Sequence, residues 1–147
     1  MRLEPLFSMS VRYTHRTYIG PIAGRDGSEG ILWALREGAV DGDRIRGTYR
    51  ACNHPRRRTD DVNVPDVHGV ITTDDGADVY FELHGLGVPE PGQPGRRVTG
   101  SATYRTAAPR YSWLNTVVSA VEGLYKQEPD GTLVGDFRVY ECVNEVV

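Results

Sequence analysis

Short runs rich in Val, Ile, Tyr and Thr recur along the chain between turn residues, a pattern typical of β-strands. The chain also has 17 glycines and 9 prolines, residues that end strands and form turns. The pattern predicts an all-β protein in which an antiparallel sheet closes as a barrel or a sandwich. We expect a single domain over residues 1–147. Strands are predicted near 3–13, 30–37, 44–51, 66–73, 77–85, 98–106, 116–127 and 132–143.

One segment, WLNTVVSAVEGLYKQ (113–127), fits two kinds of secondary structure. Its apolar positions repeat with the period of one helix face. Its β-branched residues and Gly123 disfavour a helix, and the turn Pro129-Asp130-Gly131 leads into another strand-like run. We therefore predict a strand, although the periodicity alone indicates a helix.

Two segments that contain Pro and Gly, 53–65 and 86–96, are predicted as long loops. Long loops in a compact domain often carry function, because they tolerate varied side chains on a rigid scaffold. We expect these two loops to cover one end of a barrel.

The stretch HGVITTDDGADVYFELH (68–84) predicts a hairpin around Asp74-Asp75-Gly76. A two-residue loop would mix apolar and polar side chains on each face. A three-residue loop with Gly76 in the left-handed conformation pairs Ile71 with Val79 and keeps the apolar residues together, so we predict this register. The polar face then carries two His–carboxylate pairs, His68 opposite Glu82 and Asp66 opposite His84.

Such pairs suit acid–base chemistry, because a carboxylate beside an imidazole stabilises its charged form. A strand pair with one apolar and one polar face usually exposes the polar face to water. Tyr80 and Val70 share the polar face, however, and favour the wall of a cavity. The sequence leaves both placements open.

Composition disfavours several classes of protein. The net charge of −3 argues against nucleic-acid binding, because nucleic-acid-binding proteins usually carry a basic stripe. No apolar run is long enough to span a bilayer, and the first residues lack the apolar region of a signal peptide. With two cysteines and no C-x-x-C, we expect a cytoplasmic protein with reduced thiols. The glycine-rich loops of nucleotide sites and the Gly-x-Ser-x-Gly of many hydrolases are absent from the sequence.

Five ordered blocks span nearly the whole chain: LEPLF (3–7), GDRIRGTY (42–49), TTDDGADVYFELHGLG (72–87), TAAPRYSWLN (106–115) and DFRVYEC (136–142). Together they resemble the DUF3237 family, also known as UPF0311. The resemblance implies a single antiparallel, lipocalin-like β-barrel of about eight to ten strands, with a strand beginning in residues 110–115. Most members have no assigned biochemical role, and the resemblance implies a small-molecule role in catabolic or secondary metabolism.

The chain departs from the family pattern at three places. ACNHP (51–55) stands where members typically show Gly-Asp-Trp, His68 where many carry arginine, and Tyr104-Arg105 where a Phe-Glu pair is common. If these positions line a cavity, a carboxylate and an arginine have been exchanged for histidines, an asparagine and an arginine. That exchange implies a specialised ligand.

Three further patterns bear on chemistry. Three histidines and a glutamate could bind zinc or iron, but their spacing matches no metal motif and no metal is predicted. Cys52 and His54 share a strand face and suggest a Cys–His nucleophile, although a small buried cysteine is the commoner role. Residues 111–115 can position a planar ligand, or can plug the barrel end and cap its backbone.

We predict a cavity for a small organic metabolite in an enzyme without metal or other cofactor. The enzyme would move a proton on a carbonyl-containing or aromatic compound, as in a cyclisation, isomerisation or condensation. The residues expected to transfer the proton are His68, Glu82 and His54. Those expected to bind the ligand are Asn53, His84, Arg105, Tyr111, Trp113 and Asn115. The alternatives are a non-catalytic carrier and an interaction module, and exposed sheet edges favour a homodimer.

Overall fold

The computed structural model describes residues 1–25 and 27–147, most of which lie in β-strands. The strands are β1 (Arg2–Tyr18), β2 (Ile22–Gly24), β3 (Gly27–Asp41), β4 (Arg46–Asn53), β5 (Arg56–Arg57), β6 (Asn63–Val64), β7 (Asp66–Thr73), β8 (Asp78–Pro89), β9 (Arg96–Arg105), β10 (Val118–Gln127) and β11 (Leu133–Val143). A 3₁₀ helix, Pro109–Thr116, lies between β9 and β10. In the described residues, no helix is long and apolar enough to cross a membrane.

Eight of these strands close into an antiparallel barrel. Neighbours run in the order β1, β3, β4, β7, β8, β9, β10 and β11, and β11 pairs back with β1. The predicted all-β barrel is confirmed, and the closed ladder excludes the sandwich. A barrel of about eight strands is wide enough to hold packed side chains or one small ligand.

The hairpin of β7 and β8 has the predicted register and the predicted three-residue loop. Ile71 pairs with Val79, His68 pairs with Glu82, and Gly76 has a φ of +86°. Ile71 and Val79 are completely buried, whereas His68 lies on the other face. A slip of one residue would have moved the apolar side chains out of the core, so their pattern fixes the register.

Side chains alternate between the interior and the outer surface along the barrel strands. In β3, Ala34, Arg36 and Val40 are buried, whereas Leu35 and Glu37 are exposed. Most buried side chains of the barrel are aliphatic or aromatic. A charged arginine in that layer is therefore unusual, because burying a charge is costly unless it is paired.

Residues 110–115 form part of the 3₁₀ helix, so the strand implied there by the family resemblance is wrong. Pro109 stands in the first turn, where its missing N–H removes no helical hydrogen bond. Tyr111 and Leu114 are buried where the helix packs across one end of the barrel. The predicted strand 116–127 is confirmed from Val118 onward.

The two segments predicted as loops contain more strand than expected. β8 continues to Pro89, and the segment 53–65 includes the short strands β5 and β6. Because β5 pairs with β3 and β6 pairs with β8, they extend the barrel wall beyond the ends of β4 and β7. The two segments surround the end of the barrel opposite the 3₁₀ helix, as expected.

Asp75 ties the β7–β8 turn to the 3₁₀ helix. Its carboxylate accepts hydrogen bonds from the hydroxyls of Thr73 (2.6 Å) and Tyr111 (2.7 Å) and pairs with Arg110 at 2.8 Å. The Thr73 bond, followed by the Tyr111 bond, lowers the pKa of Asp75 to about 2. The carboxylate therefore stays ionised in the folded protein well below the pH at which it would protonate in the unfolded chain.

Asp75→Asn is expected to lower the melting temperature (Tm) near neutral pH. A carboxyl with a lower pKa in the folded than in the unfolded chain stabilises the fold above the unfolded value, and the contribution disappears as pH falls through the folded value. The difference in Tm between the variant and wild type, measured by circular dichroism, should therefore shrink as pH falls from about 4 to about 2. Asp74→Asn, in the same turn, is the control. A difference for Asp75→Asn that stays constant over this range would contradict the role of its carboxylate.

Candidate functional site

An internal cavity of about 290 Å³ opens at the end of the barrel surrounded by segments 53–65 and 86–96. Its volume lies near the lower end of the range for ligand pockets, ~300–1,000 Å³. Its polar lining includes Tyr13, Arg16, Asn53, Arg57, Arg96 and Tyr125.

A β-bulge in β1 turns Arg16 and Tyr18 toward this cavity. The pairing of β1 with β3 shifts between Tyr13 and His15. Tyr13 faces the interior, so strict alternation would have placed Arg16 and Tyr18 on the outer surface. The extra residue at the bulge reverses that alternation, and all three side chains line the cavity.

Arg36 lies in the barrel interior beside the cavity residue Tyr125. Only 1% of Arg36 is exposed, and its Nη1 donates a hydrogen bond to the Tyr125 hydroxyl. Its guanidinium carbon is 5.9 Å from the ring centres of both Tyr49 and Phe137, within the range of cation–π attraction. Among the described residues, nothing hydrogen-bonds to its Nε or Nη2. Leaving buried N–H groups unpaired destabilises the fold, and residues that break the rules of packing in this way are expected mainly at functional sites.

Hydrogen bonds converge on the Tyr125 hydroxyl. The Asn53 Oδ1 accepts from the backbone N–H of Asp66 (3.1 Å), which directs the Asn53 Nδ2 to the Tyr13 hydroxyl (2.9 Å). Tyr13 in turn donates to Tyr125 (3.3 Å). Because the Tyr125 oxygen accepts from both Arg36 and Tyr13, its own hydrogen remains available to a ligand, and no described residue accepts it. Successive bonds of this kind polarise one another in a dry interior.

Burial keeps the interior phenols protonated. Burial raises the pKa of Tyr125 well above its ordinary value of 10.0, although the charge of Arg36 opposes the shift. Burial likewise raises the pKa of Tyr49 to about 12. For Arg36, burial lowers the pKa, but the neighbouring phenols of Tyr125 and Tyr49 raise it overall. Tyr125 therefore stays a protonated phenol, which can donate a hydrogen bond to a ligand oxygen.

The histidine–carboxylate face of the β7–β8 hairpin lies on the outer surface of the barrel, not in the cavity. His68 is hydrogen-bonded to the Asp66 carboxylate and to the Tyr80 hydroxyl, both at 2.8 Å. The Tyr80 hydroxyl donates to Glu82 (2.9 Å), and His84 approaches Asp66 at 3.6 Å. The opposite face of the same hairpin supplies the barrel core, so alternation sends these polar groups outward.

Arg105 and His54 also lie outside. Arg105 is 72% exposed and pairs with Glu82 at 3.1 Å, and His54 is exposed beyond the end of β4. Cys52 is half-buried on the outer face, where burial raises the pKa of its thiol and disfavours the nucleophilic thiolate. Asn53, between Cys52 and His54, points inward and is the one predicted ligand-binding residue that lines the cavity.

The three residues predicted in 111–115 lie at the closed end of the barrel. Tyr111 is bonded to Asp75, and the Trp113 ring lies 3.6 Å beneath the guanidinium of Arg44. Asn115 accepts from the Thr106 N–H (2.7 Å) and donates to the Thr106 carbonyl (3.0 Å). They therefore plug the end and cap the backbone, the alternative that the sequence had left open. Across residues 1–25 and 27–147, no three His, Cys, Asp or Glu residues are grouped to hold a metal ion.

Arg36, Tyr125, Tyr13 and Arg16 were missed by the sequence-based prediction. Arg36 stands two residues from the apolar Ala34 in a strand of period two, which indicates an inward-facing charge. Tyr125 similarly lies on the same strand face as the buried Val121. Arg16 had no comparable indicator, because its inward direction depends on the bulge.

Several solved structures share this fold at low sequence identity. A β-barrel-like protein from Acinetobacter baumannii AYE is 20% identical, with a TM-score of 0.72 and 95% of each chain covered. A protein of unknown function from Clostridium acetobutylicum ATCC 824 is 20% identical, with a TM-score of 0.74, covering 97% of this chain and 100% of the other. An enzyme from Penicillium herquei is 18% identical, with a TM-score of 0.66 and coverage of 94% and 93%.

At these identities, the likeness shows the fold alone. No curated protein matches the sequence. The model of the family described as "Protein of unknown function (DUF3237)" matches residues 1–141. Because that match takes in nearly the whole chain, the protein belongs to the DUF3237 family.

Proposed function

We propose that the barrel binds one small organic metabolite in its interior cavity and catalyses a cofactor-independent proton transfer on it. The reaction would be a cyclisation, isomerisation or condensation of a carbonyl-containing or aromatic compound. The supporting observation is Tyr125, a residue of the cavity lining whose hydroxyl accepts hydrogen bonds from Arg36 and Tyr13.

The chemistry follows from that arrangement. A carbonyl or phenolic oxygen of the ligand accepts the free hydrogen of Tyr125, which makes the attached carbon more electrophilic. As negative charge develops on that oxygen, the hydrogen bond strengthens, and the Arg36 charge behind the phenol stabilises the developing anion. Tyr125 is the proposed catalytic residue. Arg36 is a positioning residue, because it acts through Tyr125.

The protons balance without an external reagent. Tyr125 gives its proton to the ligand oxygen, and its phenolate is stabilised by Arg36. The proton released from the ligand's attacking hydroxyl or activated carbon then restores the phenol. A ring closure or tautomeric shift of this kind consumes no oxidant, reductant or metal.

Catalysis is thus assigned to the interior rather than to His68, Glu82 and His54, which lie outside the cavity. Asn53 keeps a role, because it fixes the Tyr13 hydroxyl. The Penicillium herquei protein of the same fold is an enzyme, which favours catalysis over simple binding for this barrel.

One observation favours the second candidate, a non-catalytic carrier. Among the described residues, the cavity lining includes no histidine and no carboxylate, the usual general bases. A carrier would return every bound compound unchanged after long incubation. Catalysis needs a base from the ligand itself or from the tyrosine phenolate.

Tyr125→Phe tests the proposal, because it removes only the hydroxyl. We expect turnover to fall by about 100-fold or more, as for loss of one oxyanion donor, while ligand dissociation constants change much less. The assay incubates the protein with hydroxylated aryl ketones and α,β-unsaturated carbonyl compounds and detects isomers by chromatography and mass spectrometry.

Tyr104→Phe is the matched control, because Tyr104 is also buried but its hydroxyl bonds to Ser119 (3.0 Å) rather than to the cavity network. It should retain turnover. Equal turnover in Tyr125→Phe and wild type would overturn the catalytic role of Tyr125. Binding by wild type with no product from any compound would favour the carrier.

A further inference from the structure

The charged residues that line the cavity are positive, whereas the chain as a whole is negative. The protein carries a net charge of −3, yet the lining includes Arg16, Arg57 and Arg96 and, among the described residues, no Asp or Glu. A cleft lined by one sign of charge concentrates ligands of the other sign. The distribution therefore points to an anionic ligand.

The three lining arginines are incompletely neutralised. Arg57 and Arg96 share one carboxylate, that of Asp61, at 3.5 Å and 2.9 Å. Arg16 instead donates to the neutral carbonyl of Gly131 at 3.1 Å, and no described carboxylate pairs with it. Arg16 is therefore the guanidinium with the most capacity left for an incoming anion.

A second, independent observation comes from the inner end. Arg36 is buried and charged, and two of its nitrogens have no partner among the described residues. It bonds to Tyr125, which lines the cavity. Positive charge thus lies beside the cavity at Arg36 as well as at Arg16. Because Arg36 is buried, solvent and salt screen its charge less than they would on an open surface.

We infer that the ligand is a carboxylate-bearing metabolite whose charged group pairs with Arg16. This inference rests on the proposed function for the location of the ligand and adds its chemical class. The planar guanidinium matches a carboxylate through two parallel hydrogen bonds. Apolar side chains that also line the cavity, Leu32, Val98 and Leu133, accommodate the ligand's carbon skeleton.

Paired probes test the charge requirement directly. Salicylate and 4-hydroxycinnamate are each compared with the corresponding primary amide, which keeps the shape and removes the charge. We expect the acids to bind at least about tenfold more tightly by calorimetry, with affinity falling as salt rises. Amides that bind as tightly as the acids, or acids that do not bind, would overturn the inference.

Variants of Arg16 test whether this residue pairs with the ligand's carboxylate. Arg16→Gln should weaken binding of the acids about tenfold and leave the amides unchanged, whereas Arg16→Lys should retain part of the acid affinity. Arg12→Gln is the matched control, because Arg12 is exposed on the same strand and does not line the cavity. Unchanged acid binding in Arg16→Gln would refute the role of Arg16.

Different results would overturn the anionic ligand and the catalytic role, although the first is placed in the cavity by the second. Acids that bind through Arg16 but are never converted would leave the ligand class standing and remove catalysis. Neutral compounds converted in a Tyr125-dependent reaction would leave catalysis standing and remove the anionic ligand.

Discussion

Arg36→Met is expected to increase the free energy of unfolding by about 1–3 kcal/mol while it lowers turnover by no more than Tyr125→Phe does. Methionine keeps much of the aliphatic volume and removes a buried charge that has no carboxylate partner among the described residues. Replacing buried charged groups with apolar side chains of similar size is often stabilising. The Tyr125 hydroxyl would lose the positive charge behind it, so the developing anion of the reaction would no longer be stabilised.

Urea denaturation and the turnover assay, applied to the same samples, measure both effects. Arg105→Met is the control, because Arg105 is exposed, and its stability should change by no more than ~0.5 kcal/mol. A clear loss of stability in Arg36→Met would show that the guanidinium contributes to the fold. The idea that Arg36 is retained for function at a cost to stability would then be wrong.

Gly123→Ala is expected to lower the free energy of unfolding by about 3 kcal/mol. A Cβ at Gly123 would lie 1.4 Å from Cδ1 of Phe137, whose ring is 2% exposed and cannot move freely. The Phe137 ring packs edge-on against Tyr125, with ring centres 5.0 Å apart. Displacing Phe137 therefore also disturbs Tyr125, and ligand affinity should fall with stability.

Gly87→Ala provides the matched control, because Gly87 is also a strand glycine and its nearest neighbour to a new Cβ is 3.4 Å away, at Asn63. Its stability should stay within about 1 kcal/mol of wild type, since replacing a strand glycine also restricts the unfolded chain. Equal stability of both variants in urea would contradict the tight packing of Phe137 over Gly123.

The barrel could be predicted from the sequence wherever one strand face is apolar. The β7–β8 hairpin shows why: a single register keeps Ile71 and Val79 in the core, and Gly76 permits the turn. The same pattern could not say which faces line a cavity. His68 and Tyr80 alternate with apolar residues, and the alternation is the same whether the polar side chains face solvent or a pocket. Only the closure of the barrel places them on its outer surface.

Other features depended on tertiary structure. The bulge between Tyr13 and His15 reverses the direction of Arg16, and nothing in the local sequence specifies it. The helical period over residues 113–127 indicated a helix, but only its first residues lie in the 3₁₀ helix, and the strand preference of the following residues hid that short helix. The alternation of buried residues in β3 indicated that Arg36 faces inward, but a charged residue in a strand is ordinarily taken as solvent-facing.

A crystal structure of the protein with 4-hydroxycinnamate bound would show whether the interior cavity is the functional site. We expect the ligand inside the barrel, with one oxygen within hydrogen-bond distance of the Tyr125 hydroxyl and the carboxylate against Arg16. A ligand seated on the outer face against His68 and Tyr80, with the interior unchanged, would contradict it.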